Sequence, residues 1–291
     1  MTGESAAHVT AEPTAPMTAE SPAMTAQPTA PMTAESPTAA LARLYDLDLA
    51  EDPGDLDLYL ALAARTGGRI LELAVGSGRL AVPLAAAGHD VTGVDLDPAM
   101  LARARRAGDD AGKATARRLR LVEGDARTIR LEDAGTFGLA FIPLNSIFLM
   151  GGRADQAAAV ATLAAHLAPG GIAVVDAWLP DTEDLARYDG RLILEWVREE
   201  PGTGRTVTKT GSAVFDQTTG VVRLTAIFEV GHPGEAPVRW VRTDRLRLVN
   251  PDELAAHAEA AGLEVEALAG DYDLGELAPG AERVVLVARR R

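Results

Sequence analysis

Residues 70–105, ILELAVGSGRLAVPLAAAGHDVTGVDLDPAMLARAR, constrain the chain more than any other stretch. An apolar run of strand length leads into a turn holding Gly76 and Gly78, then a helix-like stretch, then a second apolar run that ends on Asp95. Strand, turn, helix and strand in that order predict a βαβ unit with parallel strands. Glycines in the turn let backbone approach a ligand where a Cβ would collide, and the helix that follows opens with unsatisfied N–H groups. Asp95 stands seventeen residues past Gly78, where a carboxylate closing the second strand can accept hydrogen bonds from both hydroxyls of a ribose. A nucleoside-containing ligand is the expectation.

The remaining sequence extends this pattern. Apolar runs at 69–73, 90–94, 118–122, 137–142 and 171–177 alternate with helix-like stretches. Two further helices precede them, one with Leu41, Leu44 and Tyr45 on a face and one over 56–63. Asp97-Pro98 and Asn250-Pro251 each place a side-chain cap before a proline at the first helical position. A helix over 154–167 stops at Pro169-Gly170-Gly171. Strands at 192–198, 205–215, 221–230 and 238–248 follow one another without helices, which predicts antiparallel hairpins. The parallel pattern is then expected to resume with a helix over 252–260 and strands at 263–268 and 283–288. The fold expected is α/β: a doubly wound sheet over residues 41–291 carrying an antiparallel β insert at 192–248 that serves as a lid or as a dimer face.

Residues 1–40 are different. They hold six prolines, no lysine or arginine and no aromatic residue, and they repeat APMTAESP at 15–22 and 30–37. Such a segment has nothing to bury and reads as a disordered tail, with Met17, Met24 and Met32 as alternative translation starts. Across the whole chain, 42 acidic against 28 basic residues give a formal charge of −14, a field that disfavours nucleic acid as a partner. No cysteine is present, so thiolate catalysis, iron–sulfur clusters and cysteine-based metal sites are excluded, and no metal is expected. No run of about eighteen apolar residues and no secretory leader pattern occurs, so a membrane partner is not expected and a cytoplasmic protein is.

Two cofactor classes use a glycine turn followed by an acid. The segment 76–81, GSGRLA, satisfies the dinucleotide spacing G-x-G-x-x-A, so an NAD(P)-dependent oxidoreductase is one reading. Glu72 at the end of the first strand favours the other, because a negative charge there suits an ammonium or a sulfonium better than a pyrophosphate. The segment Glu72-Leu73-Ala74-Val75-Gly76-Ser77-Gly78 resembles the first motif of the class I S-adenosylmethionine-dependent methyltransferases, an acid followed by G-x-G-x-G, with Ala74 in place of the first glycine. The likeness covers about residues 45–177 and the last two strands.

That resemblance implies a seven-stranded Rossmann-like sheet, S-adenosylmethionine as cofactor and a small-molecule acceptor. It implies cofactor contacts from Glu72, Ala74, Gly76, Gly78 and Asp95, with Leu96 and Met100 flanking the adenine and Asp125, followed by Ala126, taking its amino group. On the acceptor side it brings in Tyr45 closing over the methionine end, and the loop Pro143-Leu144-Asn145-Ser146, which lacks the N-P-P-[YF] pattern of base methylation. Asn145 either orients an acceptor or caps the next helix. Asp176 and Trp178, ending the fifth strand, either line an acceptor pocket or serve a turn cap and packing under the insert. None of the five histidines offers a clear base, so the catalytic residue and the choice among N-, O- and C-methylation stay open. A binding protein that keeps the cofactor pocket without catalysis is the remaining alternative.

Overall fold

The computed structural model describes residues 35–291, apart from residues 50, 52 and 233; the tail expectation for residues 1–34 lies outside the described residues. Ser36 caps helix α1 (Pro37–Asp48) by accepting from the Ala39 N–H, and Ala40 is fully buried. This corrects the tail boundary drawn at residue 40. Proline is tolerated in a first turn, so a proline-rich composition does not exclude a helix that begins on one.

Helix α2 (Leu56–Thr66) precedes β1 (Arg69–Leu73), α3 (Ala81–Ala86), β2 (Val91–Asp95), α4 (Pro98–Asp110), α5 (Lys113–Arg118), β3 (Leu119–Glu123) and β4 (Phe137–Ile142). A 3-10 turn (Ser146–Met150) and α6 (Arg153–His166) lead to β5 (Leu167–Trp178) and α7 (Thr182–Ala186). Strands β6 (Ile193–Glu200), β7 (Arg205–Asp216), β8 (Val221–Gly231) and β9 (Val238–Arg247) follow, then α8 (Pro251–Ala260), β10 (Leu263–Ala269) and β11 (Arg283–Arg290).

The main sheet has seven strands in the order β10-β11-β5-β4-β1-β2-β3. Alternation along each strand sends Leu71, Leu73, Ala140 and Ile142 to a core shared with α6 and α8, and Ile70, Leu139 and Phe141 to one shared with α2, α3 and α4. Burial on both faces explains why these strands read as continuous apolar runs. The expected return to parallel pairing does not hold for either of the last two strands: β11 pairs antiparallel with both β10 and β5, and β10, at the sheet edge, pairs with β11 alone. No helix separates β10 from β11, and without a crossover the chain can only come back antiparallel. The fifth strand is also longer than predicted: it takes over directly where α6 ends, and Pro169-Gly170-Gly171 lies inside it.

Strands β6 to β9 form a separate four-stranded antiparallel meander. Its two faces have different fates. Val207, Ala226, Phe228 and Val230 pack with Leu44 of α1, supported by Leu41, Leu47, Trp196 and Trp240. The opposite face carries the row Leu194, Thr210, Ile227 and Val241 across all four strands, and leaves Leu194, Val197 and Val241 more than half exposed. Polar ties reinforce the covered face: Lys209 Nζ lies 2.6 Å from Asp48 and 2.7 Å from Glu195, Trp196 Nε1 donates to Asp48 at 2.9 Å, and Arg43 pairs with Glu200. Helix α1 is thereby fastened to the insert, and through Arg103 and Asp46 to α4.

Candidate active site

Connections leave the main sheet in opposite directions at the adjacent strands β1 and β4, and the crevice beyond their carboxyl ends is where open α/β sheets hold ligands. A cavity of about 740 Å³ opens there, within the usual ligand-site range of ~300–1,000 Å³. The loop after β1 contributes Ala74 and Gly76 to its wall, the loop after β2 Asp95 to Pro98 and Met100, and the loop after β3 Gly124 to Arg127. Ser146, Leu149, Met150 and Gly151 follow β4 on the wall. Helix α1 closes one side with Pro37, Thr38, Leu41, Ala42 and Tyr45, and Arg242 reaches in from β9 of the insert.

Asp95 organises one end. Its Oδ2 accepts from the Gly76 N–H at 2.8 Å and its Oδ1 from the Asp97 N–H at 2.9 Å, so each oxygen keeps a free lone pair for a ligand hydroxyl. Burial pushes this carboxyl upward while the backbone donors pull it back. Gly76 turns with φ +55°, and a Cβ there would stand in the cavity with only the Tyr45 ring, at 3.9 Å, as a neighbour. Gly78 does something else. It is off the wall, and a Cβ on it would meet Val82 at 3.0 Å and Ala104 at 3.2 Å, so its role is to let α4 close on the turn. Ala74 also adopts a left-handed backbone, φ +61°, at the position where the resemblance expects glycine. That conformation costs an L-residue about 1–2 kcal/mol.

Glu72 lies behind the wall rather than on it, 2 % exposed, with Oε2 lacking a hydrogen-bond partner. Burial pushes its carboxyl well above the ordinary range against the pull of Arg79, whose guanidinium grips the buried Asp55 through two 2.6 Å bonds. Asp125 and Ala126 are on the wall as expected, but Asp125 is already engaged: Arg127 donates to it from Nε at 2.9 Å and from Nη2 at 2.6 Å and holds its carboxyl low. Leu96, 66 % exposed, and the buried Met100 complete this end.

Of the acceptor-side candidates, Tyr45 is on the wall, its hydroxyl pushed upward by burial. Asn145 and Trp178 are not. Asn145 stands at the N-cap position of the 3-10 turn without a side-chain capping bond and is off the cavity wall; its Oδ1 accepts from the Trp178 N–H at 2.5 Å. The Trp178 side chain packs on the core, with its ring centroid 6.2 Å from that of Tyr188. Asp176 is fully buried and does not cap the turn that follows it; Tyr59, Tyr272 and the Leu144 N–H donate to it at 2.7, 3.0 and 3.0 Å. His166 is buried between the Thr162 carbonyl and the Leu131 N–H, and none of His89, His166, His232 and His257 lines the cavity. Among the described residues no cluster suited to a metal ion occurs, and no helix is long and apolar enough to cross a membrane. Sequence reading missed Arg127, Arg242 and the α1 wall before Tyr45. Only Arg127 left a signal, two residues beyond the acid it holds.

These features fit S-adenosylmethionine. Asp95 retains a free lone pair on each oxygen, as a pair of ligand hydroxyls such as those of a ribose requires, and Gly76 leaves a hollow where a Cβ would stand. Comparison with known proteins agrees. The family described as methyltransferase domain matches residues 70–171. A dTDP-3-amino-3,4,6-trideoxy-alpha-D-glucopyranose N,N-dimethyltransferase of Streptomyces venezuelae is 29% identical over 237 residues, 79% of this chain and 92% of that protein. The crystal structure of Streptomyces venezuelae DesVI superposes with a TM-score of 0.68 at 26% identity, covering 89% of this chain and 100% of that one. The S-adenosylmethionine-bound structure of CalS10, an amino pentose methyltransferase from Micromonospora echinaspora involved in calicheamicin biosynthesis, gives 0.63 at 26% identity, covering 85% and 97%.

Proposed function

We propose an amino group on a nucleotide-linked sugar as the acceptor of this chain, which belongs to the class I S-adenosylmethionine-dependent methyltransferases and transfers a methyl group to a small molecule. The nicotinamide and non-catalytic alternatives give way to that membership. Bound in the cavity, the cofactor supplies a methyl group already activated on a sulfonium. Asp95 holds the ribose, Ala74 and Gly76 give backbone contact, and Asp125, with Leu96, Met100 and Ala126, borders the adenine. Tyr45 closes over the methionine end and, with the rest of α1, excludes water.

The observation that carries the acceptor reading is Arg242. It is the insert's contribution to the cavity wall, in a chain of formal charge −14, and a guanidinium there recognises an acceptor bearing phosphate. Its Nε pairs with Asp244 at 2.7 Å, which leaves donors of the planar fork for a ligand. A neutral amine needs no dedicated base, since placement and dehydration carry an in-line displacement, and no histidine lines the wall among the described residues. The relative and the sugar methyltransferase structure named above act, by their names, on amino sugars.

Incubation with S-adenosylmethionine and a dTDP-linked 3-amino sugar should add one or two methyl masses by mass spectrometry, whereas the 3-hydroxy analogue should not react. Methylation of the hydroxy analogue alone would refute the amine reading. The same reading takes the outer face of the insert as the seat of a second copy, checked by light scattering, with the cytoplasm as compartment and no nucleic acid as partner.

A further inference from the structure

We propose that Asp176 is a positioning residue for methyl transfer: its buried carboxyl and backbone carbonyl fix the left-handed Leu144-Asn145 segment from which the acceptor-side wall is suspended. The inference rests on the methyl-transfer reading above and does not depend on which acceptor is used.

Strand β4 leaves the sheet beside β1, at the crevice, and the next residues are Pro143, Leu144 with φ +47° and Asn145 with φ +64°. The 3-10 turn that follows carries Ser146, Leu149 and Met150 on the cavity wall. Consecutive left-handed residues that are not glycine are costly, and they persist only where the surroundings over-determine them. Here the determinants converge on the end of β5. The Leu144 N–H donates to Asp176 Oδ2 at 3.0 Å, the Asn145 N–H donates to the Asp176 carbonyl at 3.2 Å, and Asn145 Oδ1 accepts from the Trp178 N–H at 2.5 Å.

Asp176 is itself held from both sides. Tyr59 of α2, its ring centroid 4.3 Å from that of Phe141, donates to Oδ1 at 2.7 Å. Tyr272, from the loop between β10 and β11, donates to Oδ2 at 3.0 Å. Arg283 of β11 lies over the Tyr272 ring at 4.1 Å, donates to its hydroxyl, and stands 3.8 Å from Oδ2. Stability alone does not call for a carboxyl here. Its neighbours along β5 are Val174, Val175 and Ala177, and an apolar side chain among them avoids the desolvation cost that a fully buried carboxyl incurs. What the carboxyl adds is a fixed backbone at the mouth of the crevice, where a misplacement of about 1 Å costs on the order of a hundredfold in rate.

The test uses the full chain with Asp176→Asn and, since that variant can misfold, with Tyr272→Phe, which keeps the carboxyl and removes one tie. Calorimetry reads the S-adenosylmethionine Kd, steady-state assay with the amino-sugar acceptor reads kcat and KM, and hydrogen exchange by mass spectrometry reads segment 143–146. The expected result is a cofactor Kd within about twofold of wild type, kcat lowered about tenfold in Tyr272→Phe and further in Asp176→Asn, and faster exchange in 143–146 with none at 74–78. Unchanged kcat in the folded variants, or unchanged exchange at 143–146, overturns the inference. Equal losses in cofactor affinity and kcat also overturn it, because they indicate general loosening. If wild type does not methylate the amino sugar, the acceptor reading fails by itself, and the exchange arm still decides the role of Asp176.

Discussion

The two ends of the cavity are built differently. The cofactor end comes from loops after three neighbouring parallel strands, between Ala74 and Arg127, and its ties are local: Asp95 reaches Gly76 and Asp97, and Arg127 reaches Asp125. The end proposed for the acceptor is assembled from α1, the 3-10 turn and β9, which are far apart in the chain and meet only in the folded protein, α1 and the insert through packing and ion pairs. A site of the first kind is written in contiguous sequence. A site of the second kind exists only once the insert has docked on α1, so Arg242 on β9 can change without touching the strand loops of the other end.

The largest expected effect comes from removing what the two ends share. Deletion of residues 1–48 takes away five wall residues and Leu44, the α1 residue buried against the insert, and should abolish transfer in a radiolabel assay. Deletion of residues 1–38, neutral on composition alone, removes Ser36 and the start of α1. It should cost about 0.5–2 kcal/mol, read as a lower Tm.

Next, Asp95→Asn presents an amide donor to one of two backbone donors and removes the charge that the proposed ribose contacts would draw on. At about 1.5–3 kcal/mol for a hydrogen bond to a charged group, the S-adenosylmethionine Kd should rise at least tenfold by calorimetry, with acceptor KM little changed. An unaltered Kd would take Asp95 out of the site.

Glu72 gives a pH signature confined to the cofactor end. Its folded-state carboxyl is raised by burial, so above the unfolded value the native state holds a proton that the unfolded chain has released. Stability of the ligand-free protein should therefore fall as pH rises from about 4.5 toward the folded value, and Glu72→Gln should flatten that decline. Thermal melts across pH check both, and a wild-type profile as flat as that of the variant would contradict the buried, unpartnered carboxyl. Smallest of these, Ala74→Gly relieves the left-handed strain but adds backbone freedom to the unfolded chain, for a net gain of about 1 kcal/mol or less.

The contrast between the ends also explains what was legible in the sequence. The glycine turn, Asp95 and the strand order near the crevice were readable because a βαβ unit places them by local spacing. Gly78 and Glu72 belong to the motif from which cofactor contacts are expected, but Gly78 packs against α4 and Glu72 lies behind the wall. Arg242 gave no signal, since alternation along β9 says which residues share a face and not what that face covers. The start of α1 was masked by the proline-rich stretch before it. The Asp176 cluster joins residues 59, 144, 176, 272 and 283, an arrangement only the closed sheet creates.

The central claim is that the insert serves the acceptor and the strand loops serve the cofactor. Arg242→Ala tests it most directly, with the S-adenosylmethionine Kd from calorimetry and the amino-sugar KM from steady-state assay measured on one preparation. The account predicts a KM raised at least tenfold, in keeping with the loss of a charge-assisted contact, and a Kd unchanged within about twofold. A Kd that rises in step with KM, or a KM that does not move, would contradict it.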